Sequence, residues 1–128
     1  IENAKKKNNK VNGTYSAWFD KGIVEGGAAA YFNGIHPTYD LHAGESETGF
    51  GLMRYPELLD KAQIASLKPN YEGEFLFERI GAGAKDFIEC GAPDAYFGDP
   101  AAATAENADK QYDVFSDYVV DEVRALLG

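Results

Sequence analysis

Cysteine, histidine and basic residues are scarce in this 128-residue chain, and each scarcity closes off a class of protein. Cys90 is the single cysteine, which rules out an intrachain disulfide and a tetrathiolate zinc site and fits a reducing compartment. Twelve Lys and Arg stand against 21 Asp and Glu, a formal charge of -9. So acidic a chain is a poor partner for phosphate backbones, which reward clustered cations. The one basic cluster, Lys5, Lys6, Lys7 and Lys10, reads as a solvated helix end. No apolar run approaches the roughly 20 residues of a membrane helix, and no secretory signal is visible. These absences lead us to expect a cytoplasmic protein with neither nucleic acid nor membrane as partner.

What is present suits one globular domain over residues 1–128: 45% hydrophobic, 13% aromatic and 26% charged. The opening, Ile1 to Lys7, reads as the tail of a helix stopped at Asn8-Asn9. Thr14 to Trp18 and Glu74 to Phe77 read as short strands, and Gly22 to Ala30 as a loop or short helix. Asn33 to His42 is irregular, because Pro37 pushes His36 out of helical geometry. Glu45 to Arg54 is predicted helical, with Glu45 and Glu47 at the positive end of the helix dipole. Pro56 interrupts it, Glu57-Leu58-Leu59 form one further turn, Lys61 to Gly73 is a connector, and Cys90 to Phe97 is a loop. The last helix starts from Asp99 as N-cap with Pro100 in the first position. Ala105, Ala108, Tyr112, Phe115, Val119, Val123 and Leu126 recur at spacings of three and four, which predicts one buried stripe.

The chemically capable residues concentrate in one irregular stretch: His36, Asp40, His42, Glu45 and Glu47. Imidazole nitrogen and carboxylate oxygen together suit Zn, Mn or Fe, and glycines among them let backbone and substrate approach closely. There is no H-E-x-x-H motif and no calcium-loop pattern. By residue type and spacing alone, the stretch is either a metal or catalytic site or a loop of capping acids and satisfied histidines.

Three motifs, in order, resemble the creatininase (creatinine amidohydrolase) family. Asp40-Leu41-His42-Ala43-Gly44-Glu45-Ser46-Glu47-Thr48 is similar to its D-x-H-A-G-x-x-E-T motif. Leu52-Met53 with Pro56-Glu57-Leu58-Leu59 resembles the L-M-x-x-x-P-E-L-V continuation. Gly98-Asp99-Pro100 through Ala103-Thr104-Ala105-Glu106 resembles the G-D-P-x-x-A-T-A-E segment that opens the last helix. Ser16-Ala17-Trp18 is similar to a short strand whose tryptophan packs over substrate; core or interface packing is the alternative for Trp18. The resemblance implies that Glu47 binds one ion of a two-metal centre (Zn, Mn or Fe). It implies that His42 is the catalytic histidine that shuttles a proton, and that Trp18 and Asp40 face substrate. Asp40 ordering the loop is the alternative. His36 and Glu45 are expected to be structural or solvent-exposed. Leu41 stands where creatininase has an acid, which argues against creatinine itself as substrate.

By the same resemblance, the chain is the C-terminal half of a three-layer α/β/α sandwich with a mostly parallel sheet. Relatives carry an earlier segment with Glu, His and Asp ligands, and an N-G-H motif; neither occurs here, where His36 and His42 are the only histidines. The expected partner is an N-terminal-half chain of the same enzyme, with such pairs forming an oligomer, hexameric as in many relatives; a fragment is the alternative. The implied activity is metal-dependent hydrolysis of a C–N bond in a cyclic amide, formamide or small peptide. The alternatives are ring opening of an oxidised inositol-like substrate, a non-catalytic assembly subunit, and a binding module walled by Trp18, Tyr31, Phe32 and Tyr39.

Overall fold

The computed structural model describes residues 16–34 and 37–128. Five α-helices lie among them: α1 (Trp18–Val24), α2 (Glu45–Arg54), α3 (Lys61–Ser66), α4 (Leu76–Gly81) and α5 (Ala105–Leu127). Short 3-10 turns connect them. The basic cluster, the opening segment and His36 lie outside the described residues.

α2 spans the predicted range, with Glu45 and Glu47 in its first turn and Arg54 in its last, a charge order that suits the helix dipole. It crosses α5 closely. A Cβ at Gly49 would stand 3.0 Å from that of Ala108, so two small residues set the approach. Where they meet, the Ser46 hydroxyl donates to Gln111 Oε1 at 2.9 Å, and Gln111 Nε2 donates to the Tyr31 carbonyl at 2.9 Å. Ser46 and Gln111 are both fully buried, so these bonds also satisfy groups that would be costly to leave unpaired. One turn further along the same face of α5, Phe115 packs against Trp18 and Phe19 of α1 at centroid distances of 5.1 and 5.3 Å. A second core forms around Leu76, Cys90, Ala92 and Phe97, with Ala84 and Phe87 against it.

Several expectations are corrected. Trp18 begins a helix rather than ending a strand, and Glu74 to Phe77 lies in a 3-10 turn running into α4. There the Arg79 guanidinium sits over the Phe75 ring, a contact that helical i, i+4 spacing brings about, and donates to the Cys90 carbonyl at 2.5 Å. The expected connector after Asp60 contains α3, because the Asp60 carboxylate accepts the N–H groups of Ala62 and Gln63 at 3.0 Å. Thr104, not Asp99, caps the long last helix, its hydroxyl accepting the Asn107 N–H at 3.1 Å. Asp99 precedes a 3-10 turn that Pro100 starts. Of the predicted stripe, Ala108 and Phe115 are buried, whereas Tyr112, Val119 and Val123 are 47%, 37% and 46% exposed.

The described residues contain no strand, only the isolated antiparallel bridges His42–Phe97 and Asn70–Gly98. The mostly parallel sheet of the expected sandwich is therefore not found among them. The sequence offers little to build one. Adjacent apolar β-branched residues occur only at Ile23-Val24 and Val119-Val120, both taken up in helices, whereas buried parallel strands are Val- and Ile-rich runs. No helix among the described residues is long and apolar enough to cross a membrane.

Candidate active site

The stretch from Asp40 to Thr48 is a turn wound around two carboxylates. Asp40, 5% exposed, accepts the backbone N–H groups of Glu45 and Ser46. Those are donors in the first turn of α2 with no partner inside the helix. Glu47 reaches back the other way, one oxygen accepting the Ala43 N–H at 2.5 Å and lying 3.9 Å from His42 Nδ1. Ala43 is held at φ 47°, a left-handed conformation that costs a residue with a Cβ. Thr48 closes the turn, its hydroxyl donating to the Ala43 carbonyl at 3.3 Å. Opposite, Phe97 N–H donates to the His42 carbonyl at 2.8 Å, and the His42 ring lies 5.0 Å from that of Phe87.

The result is an imidazole and a carboxylate, side chains 47% and 62% exposed, facing a cleft of about 440 Å³. Leu59, Ile64, Leu67 and Tyr96 supply much of its apolar surface, and Asp94 and Ala95 close one side. The residues 94–96 and α3 carried no functional expectation. An alanine at φ 61°, as Ala95 is, has no sequence signal, and the apolar residues of α3 read as ordinary helix faces.

The remaining site candidates fall elsewhere. Trp18 lines a second cavity of about 350 Å³ that Glu47 and Leu41 also border and His42 does not. Trp18 is thus brought to the far side of Glu47 rather than over the His42 cleft. Asp40 borders that cavity too, yet both its oxygens are engaged by the start of α2, so it orders the loop. Glu45 is buried and accepts the N–H groups of Asn33 and Gly34 at 2.5 and 2.7 Å, a structural role that ties the preceding loop to α2.

Burial pushes the Asp40 carboxyl from its ordinary 3.8 up to about 6, against the opposing pull of the Ser46 and Glu45 N–H groups. Burial raises Glu45 as well. The folded state thus holds the Asp40 proton more tightly than the unfolded chain does. Its stabilisation is complete below about pH 4 and is lost as pH rises through about 6. Asp40→Ala should therefore show its largest stability deficit near pH 4. The deficit should shrink by up to about 3 kcal/mol by pH 7, as read from denaturant midpoints of both proteins across that range. A deficit that grows with pH would contradict this.

The creatininase family model, described as creatinine amidohydrolase, matches residues 3–123. The chain belongs to the creatininase family. No curated protein and no solved structure matches it. Members of the family are hydrolases that depend on divalent metal. No group of three or more His, Cys, Asp or Glu side chains among the described residues could hold a metal ion. Glu47 and His42 have the right donor chemistry, carboxylate oxygen and imidazole nitrogen, but a catalytic zinc takes three protein ligands and a water. The described residues can hold a cation in part, not alone.

Proposed function

We propose that the chain supplies one wall of a metal-dependent amidohydrolase site. In it Glu47 ligates a divalent ion (Zn, Mn or Fe) and His42 moves the proton. The observation that carries this reading is the 3.9 Å pairing of His42 Nδ1 with Glu47 at the edge of the 440 Å³ cleft. The bound cations would supply a water that loses its proton near neutral pH. His42, half-exposed to the cleft and braced on Phe87, delivers a proton to the departing nitrogen, a task suited to an imidazole. A cyclic amide, formamide or small peptide fits this chemistry.

The missing ligands come, in this reading, from an N-terminal-half chain that also brings the sheet of the α/β sandwich. The half-exposed Val119, Val120 and Val123 of α5 are apolar surface that such a partner, or a further copy in an oligomer of pairs, would cover.

Glu47→Gln tests the assignment, because its amide oxygen can still accept the Ala43 N–H. Metal content and C–N bond hydrolysis are measured on the complete assembly. The variant should lose at least one ion per site, and activity with it by more than the roughly 10-fold to 100-fold that loss of a residue merely orienting a ligand costs. Unchanged stoichiometry and rate would overturn the proposal. The non-catalytic alternative predicts no turnover in either protein.

A further inference from the structure

The wall of the cleft opposite His42 is built as firmly as the motif wall. Phe97 N–H bonds to the His42 carbonyl at 2.8 Å. The Asn70 side-chain N–H donates to the Tyr96 carbonyl at 3.0 Å, and the Tyr96 hydroxyl donates to the Lys68 carbonyl at 2.6 Å. Among the described residues, the non-glycine positions with positive φ are Ala43 and Ala95, and both line this one cleft. Such backbone persists only where its surroundings over-determine it, and it gathers at working sites.

Away from Glu47, whose charge a bound cation would offset, the lining is one-sided in charge: among the described residues it contains the carboxylates of Asp60 and Asp94 and no Lys or Arg. Asp60 is engaged in capping α3, whereas Asp94 is exposed at the rim. Between them lies the apolar surface of Leu59, Ile64 and Leu67. An apolar hollow with a few placed polar groups is how small-molecule sites select ligands.

We propose that this cleft selects a non-anionic amide carrying an apolar side group of leucine size or larger, with Asp94 the residue that sets the charge preference. This rests on reading the cleft as an active site. Ile64 and Leu67 take the side group. Asp94 favours N–H donors or a cation and repels a carboxylate, by about fivefold for one close pair of like charges in water.

Binding of leucinamide, N-acetyl-leucinamide and N-acetyl-leucine to the full chain is followed by the Ala95 methyl and His42 ring resonances. A chelator is present so that no carboxylate binds through a metal. The two amides should bind at least about fivefold more tightly than the acid. Asp94→Lys, an exposed change that spares the core, should reverse that order, and Ile64→Gln should weaken all three alike. Equal binding of acid and amide, an order unmoved by Asp94→Lys, or no binding of any probe overturns the proposal. Those failures are separable from failure of the activity reading, which would show as unchanged metal content and turnover in Glu47→Gln with the amide preference intact.

Discussion

Replacing His42 with alanine should lower kcat of the assembled enzyme by about 10²-fold to 10⁴-fold, the usual contribution of a positioned general acid or base. KM should change little, because the Leu59, Ile64 and Leu67 surface proposed to take the substrate is untouched. Metal content should stay close to that of the unaltered protein, which distinguishes His42 from Glu47. The fold should survive, since the bridge to Phe97 uses the His42 backbone rather than its ring. Partial recovery of rate by added imidazole would mark the loss as chemical. A kcat within a factor of about three of the unaltered enzyme would remove His42 from the reaction, since general acid–base effects are far larger.

Gly44→Ala should be among the most damaging single methyl additions in the described residues. A Cβ there would overlap the Asp40 carboxylate and stand 2.7 Å from the Phe97 carbonyl oxygen. The carboxylate cannot retreat without abandoning the N–H groups of Glu45 and Ser46, and the carbonyl belongs to the backbone bridge. We expect a loss of about 3 kcal/mol or more, at or above the upper end for overpacking. It would be read as a fall in the denaturant midpoint together with loss of the His42 and Glu47 geometry. Gly81→Ala is the matched control. It ends α4 with nothing within 4 Å of the added atom, so it should be neutral or stabilising by about 0.5–1 kcal/mol. Equal midpoints for the two variants would show that the Asp40 turn tolerates expansion.

Legibility in the sequence followed the range of the forces involved. The run from Asp40 to Arg54 was readable because its determinants are local. Acids in a first turn, glycines where backbone approaches and a helical span each act over a few residues, and the structure bears out α2 in full. Asp40 was readable only as a pair of alternatives. Residue type cannot say whether a carboxylate faces a ligand or a helix start, and the structure shows Asp40 accepting two N–H groups at the helix start. The end of α5 misled for a related reason: periodicity marks an apolar face but not what covers it. Gln111, polar and so uncounted in the predicted stripe although it sits between Ala108 and Phe115 on that face, is buried where Ser46 and Tyr31 meet it from other elements.

The residues by themselves determined the family, the helix carrying Glu47, and the closeness of Glu47 to His42, five positions apart across one tight turn. Local hydrogen bonding and steric room are enough for these. Only the tertiary structure decided that the segment 94–97 lies against His42 to form a cleft, that Trp18 borders a different cavity, and that no strand occurs among the described residues. Those outcomes depend on which distant surfaces exclude water together. That is settled by the packing of Phe97, Phe115 and Gln111 across the chain, not by any spacing within one segment.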